Sequence, residues 1–458
     1  MIIDPIKSRP EKMPEWEVYG RSLLLEYRQC HEEGLDVARL EDLVRAAAAV
    51  PSGIFQEELA DLIGRQLHQC PAQADYPYHE PSDLAGIQSA RPVSRPVMPR
   101  LLPDTNWRDR IAGAWLGRIA GCLLGKPVEG WHMPELRRLL EGTGNYPLKR
   151  YISRNEDLLR ELGGDPKRCW IENIDHCAPV DDDTNYTVMA ALRLVKRYGR
   201  DFTPDDVMNT WLDSQPKTAY CTAERVAFRN FIAGMMPPDS ASFQNPYREW
   251  IGAQIRADYF GYINPGNPQR AAEMAWRDAS VSHTKNGIYG ELLIAAMLAA
   301  AAVHQARPEN IPAIIEAGLA EIPRRSRLSE ALRQVLVWRQ DGLDAEACLA
   351  RIHERYNEKN AHDWCHTISN AMIVVVALLY GGLDFSRSIC LAVGAGFDTD
   401  CNGATVGSIV GMMIGAKAIP KPWTEPLGGL LDTSIIDVGK VRIDDLVEIT
   451  LDQMAIVI

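Results

Sequence analysis

The sequence predicts an all-α protein built as a multi-helix bundle. From Trp107 onward Ala, Gly, Leu and Ile recur at helical periods, while alternating β-type runs and Asn-Gly hairpin signals are almost absent. The chain has 458 residues, 46% hydrophobic and 24% charged, enough for a large core in two or three packing units. That composition excludes disorder of the chain as a whole.

Three regions follow in order. From Trp16 to about Gln69 the segments WEVYGRSLLLEYRQC, LEDLVRAAAAV and FQEELADLIGRQL are amphipathic at helical spacing, which makes residues 1–70 a helical preface. Residues 71–104 carry Pro71, Pro77, Pro81, Pro92, Pro96, Pro99 and Pro103, too many for any long helix. That stretch reads as a linker or as a strap over the next domain. Residues 105–458 form the main all-α domain, whose tail from Lys421 wraps back on the bundle and ends in one short helix.

Two helices of the main domain share a glycine pattern. Gly113, Gly117, Gly121 and Gly125 fall every fourth residue in GAWLGRIAGCLLG, and Gly403, Gly407, Gly411 and Gly415 do the same in GATVGSIVGMMIG. A glycine inside a helix costs about 1 kcal/mol relative to alanine, so a stripe of them needs compensation. Close approach of another helix backbone supplies it, and both helices are expected at the centre of the bundle. Membrane dimerisation is the other context for such spacing, but both runs are too short to span and the first contains Arg118.

Charge narrows the partners. Lys and Arg total 49 against 61 Asp and Glu, a formal charge of −12, and no stretch concentrates basic residues as a nucleic-acid groove would. A cation is the expected partner. The start, MIIDPIKSRPEK, lacks the apolar centre of a signal peptide, and the runs Ile288 to Val303 and Met372 to Tyr380 fall short of the roughly 18 to 20 residues that cross a bilayer. Ten scattered cysteines without CxxC spacing fit reduced thiols in a cytoplasm better than disulfides or a zinc site.

The acids that matter sit at helix ends. Asp181, Asp182, Asp183 and Thr184 precede the helix NYTVMAALRLVKRY, Asp398, Thr399 and Asp400 precede the second glycine-striped helix, and Glu129 follows Gly125 by four residues. One Asp before a helix is adequately explained as a cap. Three in a row are not, because the other two add only mutual repulsion. Hard divalent ions take such oxygen ligands, and Mg²⁺ suits carboxylates with several waters retained. The spacing of a calcium loop is absent.

With those segments quoted, the chain resembles the ADP-ribosylglycohydrolase family over roughly Trp107 to Trp423. DRIAGAWLGRIAGCLLGKPVEG is similar to the family's opening helix, DDDTNYTVMAAL to its Asp-Asp-Thr metal segment, VSHTKNGIYGE to its substrate-side Thr-His segment, and GFDTDCNGATVGSIVG to its terminal Asp-Thr-Asp segment. The resemblance implies an orthogonal all-α bundle with a binuclear Mg²⁺ centre, Mn²⁺ being an alternative. It gives Asp181, Asp182, Asp183, Asp398 and Asp400 as metal ligands, Glu129 and Asp182 as catalytic residues, and His283 as a substrate contact. Asn185, Asn286 and Asn402 flank the same segments and suit either sugar hydroxyls or helix caps. This chain departs from the family in carrying Asp181 and Cys401 where threonines are usual, and Cys122 where aspartate is common. The glycine-rich pyrophosphate segment survives only as GAQIRADYFG, with Gln254 and Arg256 in place of small residues.

The implied activity is hydrolysis of an N- or O-glycosidic bond of a ribosyl or ADP-ribosyl group, through an oxocarbenium-like state attacked by water. Glu129 is the candidate to direct that water. No covalent triad is expected, since the neighbours Ser282 and His283 are not a nucleophile arrangement. His366, beside Asn370 on one helical face, reads as a polar brace for the core rather than a catalyst. Two other functions stay open: a hydrolase of small nucleoside-like or sugar glycosides with no ADP-ribose requirement, and a metal-dependent ribosyl-binding protein that cleaves nothing.

Overall fold

The computed structural model describes residues 13–100 and 105–455. The opening stretch read above for a signal peptide, residues 1–12, and Pro103 lie outside the described residues. Within them the protein is all-α, and the paired strands, Leu430–Leu431 with Val441–Arg442, are two residues each.

The glycine-striped helices, Trp107–Gly125 and Thr399–Ile414, lie antiparallel with their stripes in contact. A Cβ placed on Gly113, Gly117 or Gly121 would run into the carbonyl oxygen of Gly411, Gly407 or Gly403, and the reverse replacements collide in the same way. Glycine is required here by backbone touching backbone. The helical penalty is offset by continuous close contact along four turns. The arrangement also builds the site, because it brings the C-terminal end of one helix to the N-terminal end of the other. Thr399 Oγ1 donates to the Gly125 carbonyl at 2.9 Å, so the residues after Gly125 and those around Thr399 arrive at one place.

The apolar runs become the helices Lys285–Ala301 and Thr367–Gly381, buried along nearly their whole length. No described helix is long and apolar enough to cross a membrane. The tail ends in the helix Ile443–Gln453, tied to the first striped helix by Trp115 Nε1 donating to Thr450 Oγ1 at 3.0 Å.

The helices Leu23–Glu32, Glu41–Ala48 and Ile54–His68 share a small apolar core of their own that includes Leu23, Val44, Ile63 and Leu67. This lobe docks on the main domain through charge. Arg248, 1% exposed, sends Nη1 to Glu26 and Nε to Glu33, both at 2.7 Å. Residues 71–100 then cross the main domain in extended form around one short helix, Leu84–Ala90. Glu80 takes Arg327, Tyr289 donates its hydroxyl to the Pro81 carbonyl at 2.5 Å, and Trp276 Nε1 donates to the Ser82 carbonyl at 2.9 Å.

Removing one partner from a buried ion network leaves the other charges stranded, at about 3–5 kcal/mol. Arg248→Met leaves Glu26 and Glu33 without their guanidinium and is expected to lower the unfolding free energy measured in urea by that amount. It should also open residues 13–70 to limited proteolysis before the main domain is cut. An unchanged midpoint would show that the lobe is held by its apolar contacts instead.

Candidate active site

Each acid reaches the site from a helix end. Asp181, in extended conformation, caps the helix Asp182–Met189: its Oδ1 accepts from the Asp183 amide at 2.8 Å. Its Oδ2 meets the ammonium of Lys126. Both oxygens of Asp181 are thus engaged within the protein. Asp182 opens the helix and is half-buried. Asp183 is fully buried and accepts from Arg118 Nη2 at 3.0 Å, while Arg118 also donates to the carbonyls of Asp183 and Ile255 and pairs with Asp258 at 2.9 Å. The second oxygen of Asp183 has no partner.

On the other side, Gly396 and Phe397 both adopt left-handed backbone (φ 75° and 56°) before the second acidic segment. That conformation is costly for a bulky residue and is held here by full burial of the Phe397 ring. Asp398 then donates its amide to Asn370 Oδ1 at 3.2 Å, and Asp400 Oδ1 is buried without a partner. Ligand atoms of Asp183, Asp400 and Cys401 lie within 4.8 Å of one another, and so do those of Cys122, Asp181 and Asp183. Acids 217 positions apart in sequence therefore converge.

The electrostatics follow from that convergence. Burial, then Asp181 and Asp400, push the Asp182 carboxyl up to about 8. Asp398 and Asp400 move upward mainly through burial, and Glu129 moves well up with the Asp400 charge as the first cause and burial as the second. Asp183 is also raised by burial, against the pull of Arg118. Acids that resist ionising together form a centre that wants positive charge. The partnerless buried oxygens of Asp183 and Asp400 fit a hard divalent ion, which the two thiols alone would not favour.

This predicts an unusual pH dependence. An acid whose folded pKa lies above its unfolded one supports the fold while protonated, so its contribution is complete below about pH 4 and is lost as pH rises to about 8. Protein freed of metal with a chelator is expected to lose thermal stability from about pH 5 to 8, and saturating Mg²⁺ to restore it at the upper end. Melting temperatures that climb with pH in chelator would contradict the proposed repulsion.

The remaining candidates are placed differently. Asn402 donates to Asn370 Oδ1 at 2.8 Å, which locks it beside Asp398, and its own Oδ1 is buried and partnerless. Asn185 is paired with Ser434, donating to its Oγ at 2.9 Å and accepting from its amide. Asn286 is committed within the protein: its amide hydrogens go to Glu80 and Glu249 and its Oδ1 accepts from the Leu328 amide. His283 is 1% exposed, and burial with the nearby Arg256 holds its imidazole well below the usual range, hence neutral. Ser282 and His283 do bond to each other, Oγ to Nδ1 at 2.8 Å. Ser282 Oγ also receives Arg256 Nη2 and is fully buried, so no nucleophile results.

Sequence reading missed Lys126, Arg118 and Asn370. A signal was available for the first two. Arg118, Cys122 and Lys126 repeat every fourth residue beside the glycine stripe, and a charge on the face of a central helix needs a buried partner. Asn370 was noted only with His366; in the structure it binds both Asp398 and Asn402.

Two other groups of acids, cysteine and histidine lie at the docked lobe, Glu26 with Cys30 and His68, and Glu32 with His362 and His366. The second is a hydrogen-bond cluster. His362 Nδ1 accepts from Trp250 Nε1 at 3.2 Å and His366 Nδ1 from the Ile368 amide at 3.1 Å, so each ring carries a proton on Nε2, the atom that faces acid.

A central helix pair thus brings carboxylates from three segments to one buried centre of an all-α domain. The ADP-ribosylglycohydrolase family profile matches residues 103–454, and the chain belongs to that family, whose members are hydrolases of glycosidic bonds. Among solved structures it is similar to an ADP-ribosylglycohydrolase-related protein complex, at 21% identity and a TM-score of 0.47, covering 76% of this chain and 97% of that one. No curated protein matches the chain.

Proposed function

We propose that this protein is a Mg²⁺-dependent glycohydrolase that cleaves an N- or O-glycosidic bond of a ribosyl group. The observation that carries the reading is the pair of buried, partnerless oxygens on Asp183 and Asp400, set among Asp182, Asp398 and Glu129. Asp182, Asp183, Asp398 and Asp400 would hold the ion, with Mn²⁺ as a substitute. When bound, the ion supplies Lewis acidity and a fixed anchor for sugar hydroxyls. The chain supplies the rest. Glu129, half-buried beside these acids and held well above the ordinary carboxyl range, would exchange a proton with the attacking water. Asp182 adds negative charge near a developing oxocarbenium. Asn402 is fixed at the same wall with one free acceptor.

One observation favours a substrate without the ADP-ribose pyrophosphate. In GAQIRADYFG, Arg256 is 2% exposed and paired with Glu224, Asp278 and Glu291, and a side chain on Gly252 would strike the Glu224 carboxylate. That segment is filled by the protein's own ions, so a small riboside suits the site better than a dinucleotide-sized group. Ten unpaired cysteines support a reducing, cytoplasmic location. Residues 1–70, 71–104 and 105–458 are proposed as lobe, strap and catalytic domain.

Incubation of the purified protein and Mg²⁺ with free ribosides, nicotinamide nucleotides and ADP-ribosylated peptides, read by mass spectrometry, tests the proposal. Chelator-sensitive release of a free ribose product from a small riboside is expected. Tight calorimetric binding of a riboside with no product after hours would replace the enzyme reading with a binding protein. Cleavage confined to ADP-ribosylated peptides would restore the larger substrate.

A further inference from the structure

Asn370 sits in the first turn of the helix Thr367–Gly381, fully buried, with both ends of its side chain engaged. Its Nδ2 donates to the carbonyls of Trp364 at 2.9 Å and His366 at 3.0 Å, in the turn that leaves the short helix Ala361–Cys365. Its Oδ1 accepts from the Asp398 amide at 3.2 Å and from Asn402 Nδ2 at 2.8 Å. Carbonyls only accept and a backbone amide only donates, so both ends fix the same orientation of the Asn370 side chain. That orientation passes on to Asn402. With its NH₂ group turned to Asn370, Asn402 is left with Oδ1 as its other face, and this oxygen is buried without a partner. Turning the Asn402 amide over would set two carbonyl oxygens against each other.

A residue that only braced the turn would need its donor half alone. The acceptor half of Asn370 is spent on the second acidic segment, where Gly396 and Phe397 hold left-handed backbone immediately before Asp398. Such backbone persists only where its surroundings pin it, and the bond from the Asp398 amide pins its downstream end. Asp398 and Asn402 lie one helical turn apart, the Asn402 amide donating to the Asp398 carbonyl at 3.0 Å. The Asp398 carboxyl in turn shares a hydrogen bond with Asp400, so its placement bears on both acids.

We propose that Asn370 is a positioning residue for the metal centre, holding Asp398 in register with Asp400 and keeping Asn402 with an oxygen, rather than an NH₂ group, as its free face. The inference rests on the metal-dependent reading above and deepens it. An NH₂ group in place of that oxygen would donate to the acids and compete with a cation for them, whereas an amide oxygen suits a hard ion.

The test reads metal affinity rather than turnover. The full chain is stripped with chelator and titrated with Mn²⁺, and the free ion is followed by electron paramagnetic resonance. Loss of the hydrogen bonds behind a metal's ligands typically costs about 10–100-fold in affinity, and Asn370→Leu, which removes both ends, should raise the Mn²⁺ dissociation constant by that factor. Asn370→Asp keeps an acceptor for Asp398 and Asn402 and should bind Mn²⁺ nearly as the parent does, although both variants melt lower. A mere brace of the turn predicts lower melting in both and parental affinity in both. Parental affinity in a folded Asn370→Leu protein would therefore overturn the inference, and so would equal losses of affinity in the two variants. If Asn370→Leu does not fold by circular dichroism, Asn402→Ala decides. It removes the oriented oxygen and should weaken Mn²⁺ binding by at least about 10-fold, and an unchanged constant would overturn the inference. These outcomes leave the glycohydrolase reading intact. A parent chain that binds no Mn²⁺ would overturn the metal dependence and this inference together.

Discussion

Valine at position 407 is expected to leave little folded protein at room temperature. The Gly407 Cα lies against the Gly117 backbone, and a Cβ there would overlap the Gly117 carbonyl, with the Ile389 side chain closing the other side. Overpacked cores usually relax by turning a side chain, at about 1–3 kcal/mol. Here the obstacle is a peptide group in the middle of a helix that is itself locked against three more glycine contacts, so the helices must part. Parting them loosens every contact along the stripe, and the cost should exceed about 3 kcal/mol, a large share of the roughly 5–15 kcal/mol that holds a domain folded. The helical preference gained on leaving glycine, at most about 1 kcal/mol, does not compensate. Gly394→Ala is the control, because nothing lies within 4 Å of the added carbon, and it should be neutral or slightly stabilising. Melting curves of the two variants side by side make the comparison. A Gly407→Val protein that melts with the parent would mean that the two central helices are not in backbone contact.

The same contact explains why so much of the fold was legible. Glycines at intervals of four inside apolar helices have few explanations, and both stripes announced themselves without any knowledge of the partner. What the sequence could not say was that the two stripes face each other in opposite directions, which is the feature that brings Glu129 and Asp400 together. The acidic segments were legible for a related reason: three aspartates before a helix exceed what capping needs. His283 and Asn286 were harder. Polar residues in a turn look the same whether they face a ligand or a buried carboxylate, and for Asn286 the deciding partners, Glu80 and Glu249, lie 206 and 37 residues away. The docking of the N-terminal lobe was beyond local reading altogether, since Arg248 and Glu26 are 222 residues apart and neither sits in a pattern that calls for the other.

Asp400→Asn is expected to separate stability from activity. The amide keeps the shape of the carboxylate and removes its charge, so it relieves the repulsion that raises Asp398, Asp182 and Glu129. It can also donate to Asp398, with which Asp400 already shares a hydrogen bond. Metal-free protein carrying this change should therefore melt higher than the parent at about pH 8, where the parent's acids are pressed to ionise together. Metal binding should move the other way, because the partnerless oxygen of Asp400 is one of the two that best fit an ion. The rise in melting temperature on adding Mg²⁺ should shrink or vanish, and hydrolysis should fall by more than about 100-fold, beyond the roughly 10–100-fold typical of changes outside a metal's ligands. A purely structural acid gives the opposite pairing: loss of stability when it is changed, and no effect on the metal-induced shift. Differential scanning fluorimetry with chelator and with Mg²⁺ distinguishes the two before any substrate is known.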